Sequence, residues 1–268
     1  MDAPVEAVIW DYGGVISSPL FRGIGRFEAD MGYPPGSILE LIFGETAYIR
    51  SPSQAPAPAP AVGEAAASAG ETAYIGAEGN PRGGDPIDGA VPESASAVTH
   101  DWHRLETGEI GFEEYMGGVM ERAPQVLGRP IDLDAYQQFT RDMPLGIHWP
   151  VVHRIRRLRG DGLKVALLTN NVKEFGSAWR STFPVDELFE IVVDSSDVGM
   201  RKPDARIYQL TCERVGVSPE ASVFIDDNAE NIAAARDLGM ETVHFGEDPF
   251  VAMAELDAIL DRRGVASK

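Results

Sequence analysis

Three apolar runs in this chain end on carboxylates, hydroxyls or amides, and this arrangement constrains the fold more than any other feature. Val8-Ile9-Trp10 leads into Asp11-Tyr12-Gly13-Gly14-Val15, Val165-Ala166-Leu167-Leu168 into Thr169-Asn170-Asn171, and Val223-Phe224-Ile225 into Asp226-Asp227-Asn228. Short continuous apolar runs fit strands buried on both faces, as in parallel sheets covered by helices. In open α/β sheets, ligands sit outside the carboxyl ends of the strands. A fourth segment, Arg201-Lys202-Pro203-Asp204, opens a helix-like stretch and contributes a cation. Together the segments predict one pocket where a carboxylate, a hydroxyl, a lysine and a carboxylate pair meet.

The remaining pattern fits such a sheet. From His148 onward helix and strand alternate, which implies a parallel sheet with helices on both faces. Strand-like runs fall at 164–168, 190–193, 222–225 and 241–245, with helical stretches near 172–182, 204–215, 229–238 and 249–260. Val151 to Arg159 has the pattern of a basic amphipathic helix. After the first strand, residues 21–43 read as two helical pieces broken near Gly32-Tyr33-Pro34-Pro35-Gly36, with Ser37 and Glu40 spaced as a capping box. A helical apolar face resumes near Ala97 through Trp102, Leu105 and Glu106, followed by Ile110, Phe112, Tyr115, Met116 and Val119, and another helix is expected from Ile131 to Phe139.

Residues 51–97 differ from both. They are rich in Ala, Pro, Gly, Ser and Glu, a composition that buries too little apolar surface to offset its ordering entropy. A flexible insertion is expected there. Within it, Gly70-Glu71-Thr72-Ala73-Tyr74-Ile75 repeats Gly44-Glu45-Thr46-Ala47-Tyr48-Ile49. A local duplication that lengthened a loop is the simpler reading; a docking motif presented twice is its rival.

The order and character of the four motifs resemble the haloacid dehalogenase (HAD) superfamily, most closely its phosphatase-like members with a helical cap. The resemblance covers the chain outside 51–97. It implies an α/β fold, with a Rossmann-like parallel core from residues 1–17 and 146–268 and a helical cap inserted at 18–145. It also implies a Mg2+-dependent hydrolase acting on a small phosphate monoester through an aspartyl-phosphate. In that scheme Asp11 is the nucleophile. Thr169 and the Asn170 backbone amide, at a helix start, hold a phosphoryl oxygen. Lys202 offsets the negative charge gathered there. Asp11, Asp227 and the Gly13 carbonyl bind the metal directly, and Asp226 binds it through water.

Each motif also has a plain structural reading. Asp before Gly after a strand is commonly a turn, and Thr or Asn there is commonly a helix cap. Asn228 and Asn231 could orient the carboxylates or simply start a helix. Arg201 is expected to be solvated. His100 and His103 share the spacing of a helix face, but no third ligand follows, so a polar helix surface is the expectation. Trp10, Trp149 and Trp179 are expected in the core, with Trp102 and Tyr115 packing within the cap.

One position departs from the pattern. Many phosphatases of this kind carry a second Asp two residues after the nucleophile as general acid and base, and here that position is Gly13. The carbonyl ligand survives, but the proton donor does not. General acid catalysis is worth about 100- to 10,000-fold, so slow turnover or a restriction to good leaving groups is expected. Two alternatives stay open: 2-haloacid dehalogenase chemistry with Asp11 attacking carbon, and a non-catalytic phosphate- and metal-binding protein. Well-known dehalogenases of the family place a tyrosine where Gly13 stands and do without metal, so Gly13 and the intact Asp226-Asp227 pair argue against the first.

Composition bounds the partners. Acidic residues outnumber basic ones 42 to 23, for a formal charge of −19. This disfavours nucleic acid, whose binding rests on Lys and Arg neutralising phosphates. An anionic substrate then needs local positive charge, which Mg2+, Lys202 and helix N-termini supply. The single cysteine, Cys212, excludes an intrachain disulfide and fits a reducing cytosol. No leader is visible after Met1, and no apolar stretch approaches the roughly 20 residues of a membrane span. A cytoplasmic protein acting on a small phosphorylated metabolite is expected. Neither the metabolite nor the oligomeric state is encoded in a recognisable motif.

Overall fold

In the computed structural model, residues 3–19, 23–44, 100–142 and 146–265 are described. Five strands, β1 (Ala7–Trp10), β2 (Lys164–Thr169), β3 (Ile191–Asp194), β4 (Ser222–Asp226) and β5 (Glu241–His244), form one parallel sheet in the order β3-β2-β1-β4-β5. Central β1 is flanked by β2 and β4, with Trp10 opposite Leu167 on one side and Ile225 on the other. The ends of the three predicted strand-to-polar junctions therefore lie side by side.

Alternation along the strands explains why both sheet faces are covered. Val8, Trp10, Val165, Leu167, Val223 and Ile225 point into one hydrophobic cluster. Ile9, Ala166, Leu168 and Phe224 point into a second. Successive strand side chains face opposite ways, so these strands must be apolar throughout. A third cluster is built mainly from the helices that follow β1, α1 (Ile24–Met31), α2 (Ser37–Phe43), α3 (Asp101–Glu106), α4 (Phe112–Leu127) and α5 (Leu133–Asp142), and takes in Val172 from the loop after β2. The helices after these are α6 (Trp149–Gly160), α7 (Gly176–Arg180), α8 (Val185–Leu188), α9 (Ser195–Val198), α10 (Ala205–Val215), α11 (Ala229–Asp237) and α12 (Pro249–Arg263). The sheet and the helices on either side of it in sequence belong to one compact unit. No helix among the described residues is long and apolar enough to cross a membrane.

Several sequence expectations are corrected. Ser37 does not cap α2: the cap position is Gly36, with φ of 81°. The buried Glu28 carboxylate takes the capping role from outside, accepting from Gly36 N at 2.7 Å and Ile38 N at 2.8 Å. The stretch expected as one helix at 172–182 is a 3-10 turn (Lys173–Phe175) followed by the short α7. Trp149 is 49% exposed rather than in the core, whereas Trp10 and Trp179 are buried. Trp102 packs edge-on against Phe43 and Tyr115. Cys212 is buried and free. The expected insertion at 51–97 and its repeated segment lie outside the described residues.

Candidate active site

Asp11 follows the last residue of β1, and its amide donates to Ile225 O of β4 at 2.9 Å. This bond fixes the carboxylate at the sheet's carboxyl edge, where it is 6% exposed. Lys202 reaches the same point from the loop before α10. Its Nζ lies 2.7 Å from Asp11 Oδ1 and 2.6 Å from Asp226 Oδ2, with 1% of the side chain exposed. Burial disfavours the Lys202 ammonium, but Asp11 and Asp226 outweigh it and raise its pKa above the ordinary lysine value. Lys202 is thus a fixed positive charge rather than a proton donor.

Asp226, at the end of β4, is fully buried and fully engaged. Besides Lys202, its carboxylate accepts from Asn231 Nδ2 at 3.0 and 3.1 Å and from Asn228 N at 2.8 Å. The two roles left open for the asparagines are thereby divided. Asn228 caps α11, accepting from Glu230 N and Asn231 N, while the Asn231 side chain orients Asp226.

Asp227, one residue on, is exposed. Oxygens of Asp11, Asp226 and Asp227 all lie within 4.8 Å of one another. Burial chiefly, with the Asp226 and Asp227 charges adding to it and Lys202 opposing, raises the Asp11 carboxyl well above the usual range. The surrounding protein and the Asp226 charge push Asp227 up to about 7, even though its surface stays open to water. Gly14 makes this crowding possible. Its φ is 82°, and a Cβ there would stand 1.9 Å from Asp227 Oδ2. A Cβ on Gly13, by contrast, would meet nothing within 4 Å.

A cluster of hard carboxylate oxygens that repel one another at short range suits a divalent cation, and Mg2+ takes oxygen ligands. The residues present therefore fit the ion. Asp11 and Asp227 offer free oxygens, whereas the oxygens of Asp226 are already committed to protein donors.

Thr169 ends β2, one register step past the level of Asp11, and is 2% exposed. Among the described residues its hydroxyl donates one long bond, 3.4 Å to Asn170 O. No helix starts at Asn170, contrary to expectation; the chain continues irregularly to Lys173. The Asn170 side chain has a role the sequence did not disclose. Its Oδ1 accepts from Lys202 N at 2.8 Å and its Nδ2 donates to Lys202 O at 3.0 Å, clamping the lysine's backbone.

Arg201 is not simply solvated, because its Nε donates to Glu106 Oε2 at 2.6 Å. His100 is the cap of α3, its Nδ1 accepting from Trp102 N at 3.2 Å. His103 is half-buried; burial first, then Arg201 and His100, lower its pKa to about 4. Neither histidine joins the carboxylate cluster.

Residues 5–239 match the family model of haloacid dehalogenase-like hydrolases, and the chain belongs to that family. Among curated relatives, it is 31% identical over 161 residues to mouse acyl-CoA dehydrogenase family member 10 (59% of this chain, 15% of the relative). It is 33% identical over 89 residues to an (S)-2-haloacid dehalogenase of Burkholderia cepacia (33% and 38%). It is 28% identical over 117 residues to phosphoglycolate phosphatase of Salmonella typhi (41% and 46%). The chain thus spans less than half the length of these relatives. A HAD family enzyme of Bacteroides thetaiotaomicron, solved with magnesium and inorganic phosphate, superimposes with a TM-score of 0.57 at 17% identity, covering 91% of this chain and 97% of that one. The family model places the chain among the haloacid dehalogenase-like hydrolases, the solved structure shares its fold, and the curated relatives lie on both the phosphatase and the dehalogenase side.

Proposed function

We propose that this chain is a Mg2+-dependent hydrolase of a small phosphate monoester, acting through a phosphoryl group carried on Asp11. The supporting observation is the convergence of three carboxylates within 4.8 Å beside a buried lysine 2.7 Å from the first of them. Asp11, Asp227 and the Gly13 carbonyl would hold the ion directly, and Asp226, already hydrogen-bonded, would act through water. When bound, Mg2+ supplies charge neutralisation for the phosphoryl oxygens.

An Asp11 oxygen attacks phosphorus, and the bond from phosphorus to the leaving oxygen breaks. Water then attacks the phosphorus of the acyl phosphate, releasing inorganic phosphate and regenerating Asp11. Lys202, kept protonated by its two carboxylate partners, offsets the added negative charge throughout. Thr169 donates its buried hydroxyl to a phosphoryl oxygen, assisted by the Asn170 backbone. Helices α1–α5 serve as the cap that covers the site and selects the substrate.

The vacancy at Gly13 shapes the kinetics. With no carboxyl to protonate the leaving oxygen, the rate should fall steeply as the leaving group becomes more basic. The test is hydrolysis of an aryl and alkyl phosphate series with and without Mg2+. Mg2+-dependent turnover of the aryl esters, with a steep leaving-group dependence that Gly13→Asp flattens, supports the reading. Halide release from 2-haloacids that persists in EDTA would instead point to attack on carbon. Metal-dependent binding of phosphate with no turnover would leave a binding protein.

A further inference from the structure

The last residue of α3, Glu106, is tied to both loops that carry the proposed chemistry. It is 6% exposed. Its Oε2 accepts from Arg201 Nε at 2.6 Å, one residue before Lys202. Its main-chain oxygen accepts from Ser195 Oγ at 2.6 Å. Ser195 Oγ in turn accepts from the Asn171 amide at 3.0 Å, two residues after Thr169. Asn170 closes the ring by clamping the Lys202 backbone.

A buried carboxylate is a costly way to join two layers. Removing it from water is unfavourable, and well-packed apolar residues often serve stability as well or better. Burial pushes the Glu106 carboxyl up, with Arg201 chiefly, then a Trp102 side-chain hydrogen bond and Lys202, opposing that push. The pair does fix geometry. A guanidinium bonded at Nε is directional, and its backbone is continuous with that of the lysine whose ammonium must lie between Asp11 and Asp226.

We propose that Glu106 is a positioning residue: through Arg201 it holds the Lys202 loop, so that the lysine reaches Asp11 only while α3 is docked on the sheet's carboxyl edge. This rests on the reading of Lys202 as the charge-neutralising group, and its test is separable from that reading. The chain has four lysines, so side-chain ammonium NMR of lysine-labelled protein is uncrowded, and the signal lost in Lys202→Met identifies Lys202.

The full-length protein is compared with Glu106→Gln, Arg201→Gln and the double variant, with circular dichroism as the check on folding. Each single variant should shift the Lys202 signal and lower kcat on an aryl phosphate roughly 10- to 100-fold, with KM within about threefold. The double variant should be no worse than the worse single one, because both act through one contact. A Lys202 signal unmoved in folded Glu106→Gln overturns the proposal, as do losses in kcat that multiply. Should Glu106→Gln fail to fold, Arg201→Lys, which keeps the charge and loses the fork, is read the same way. If the wild-type protein hydrolyses no phosphate ester, the functional reading fails and the NMR comparison alone decides the positioning role.

Discussion

The carboxyl edge of the sheet and the helices following β1 are built on different principles. The helices have their own apolar core, in which Ile38, Leu41, Leu105 and Val119 are nearly or fully buried, and each such side chain contributes about 1.5–3 kcal/mol by burial. At the sheet edge the packing is polar. Lys202, Asp226 and Asn231 are buried, with Lys202 and Asn231 both donating to Asp226, an arrangement that adds little stability and much specificity of position. Within that edge a second contrast appears: Asp226 has its oxygens filled by protein donors, whereas Asp227 is left open beside Gly14. One carboxylate holds the lysine and the other is available to a ligand.

The largest combined effect on turnover and stability should come from removing the lysine at the centre of the polar edge. Lys202→Met leaves a fully buried Asp226 with no cation. We expect turnover to fall by roughly 100- to 1,000-fold and stability by about 3–5 kcal/mol, the cost of breaking a buried pair from one side, measured by chemical denaturation. Loss of turnover with no loss of stability would break the comparison, because Asp226 would then not depend on the lysine.

A smaller effect should separate the two glycines. Gly14→Ala must displace the Asp227 carboxylate and should weaken Mg2+ binding about 10- to 100-fold by calorimetry. Gly13→Ala, with open space beside it, should change Mg2+ affinity little. Equal losses would mean that approach of Asp227 to the backbone is not what builds the ion site.

The smallest effect is electrostatic. Asp227 titrates at about 7 in the folded protein and near the ordinary aspartate value when unfolded. A raised carboxyl pKa penalises the folded state once the group ionises, so the penalty is complete above pH 7 and fades as pH falls toward 4. In metal-free buffer, Asp227→Asn should therefore melt higher than wild type at pH 8, by an amount that shrinks at pH 5. Saturating Mg2+ should remove the advantage, because the ion relieves the same repulsion.

The contrast also explains how much could be read from sequence. The sheet was legible because strands buried on both faces must be apolar throughout and then stop at polar groups, as Trp10-Asp11 and Ile225-Asp226 do. The nearness of Asp11, Asp226 and Asp227 reflects β1 and β4 lying side by side, whereas the place of Lys202, on a loop, was implied only by the family resemblance. Partners distant in sequence were not legible. Nothing local marks Glu106 as bound to Arg201, or Asn170 as a clamp on Lys202, because a single hydrogen bond between remote residues leaves no periodicity. The Ser37 cap failed for the same reason: a carboxylate from the preceding helix, Glu28, supplied what the local spacing promised. The broken helix at 172–182 reflects a loop organised by Asn171, Ser195 and Asp194 rather than by its own pattern.

Intact-mass and peptide mass spectrometry after acid quench, during Mg2+-dependent turnover of an activated aryl phosphate, tests the central claim most directly. The account predicts a phosphoryl adduct on the peptide containing Asp11, absent without Mg2+ and absent in Asp11→Asn, which should fold normally yet turn over nothing. Undiminished Mg2+-dependent hydrolysis by Asp11→Asn, or a phosphoryl group carried elsewhere in the chain, would contradict it.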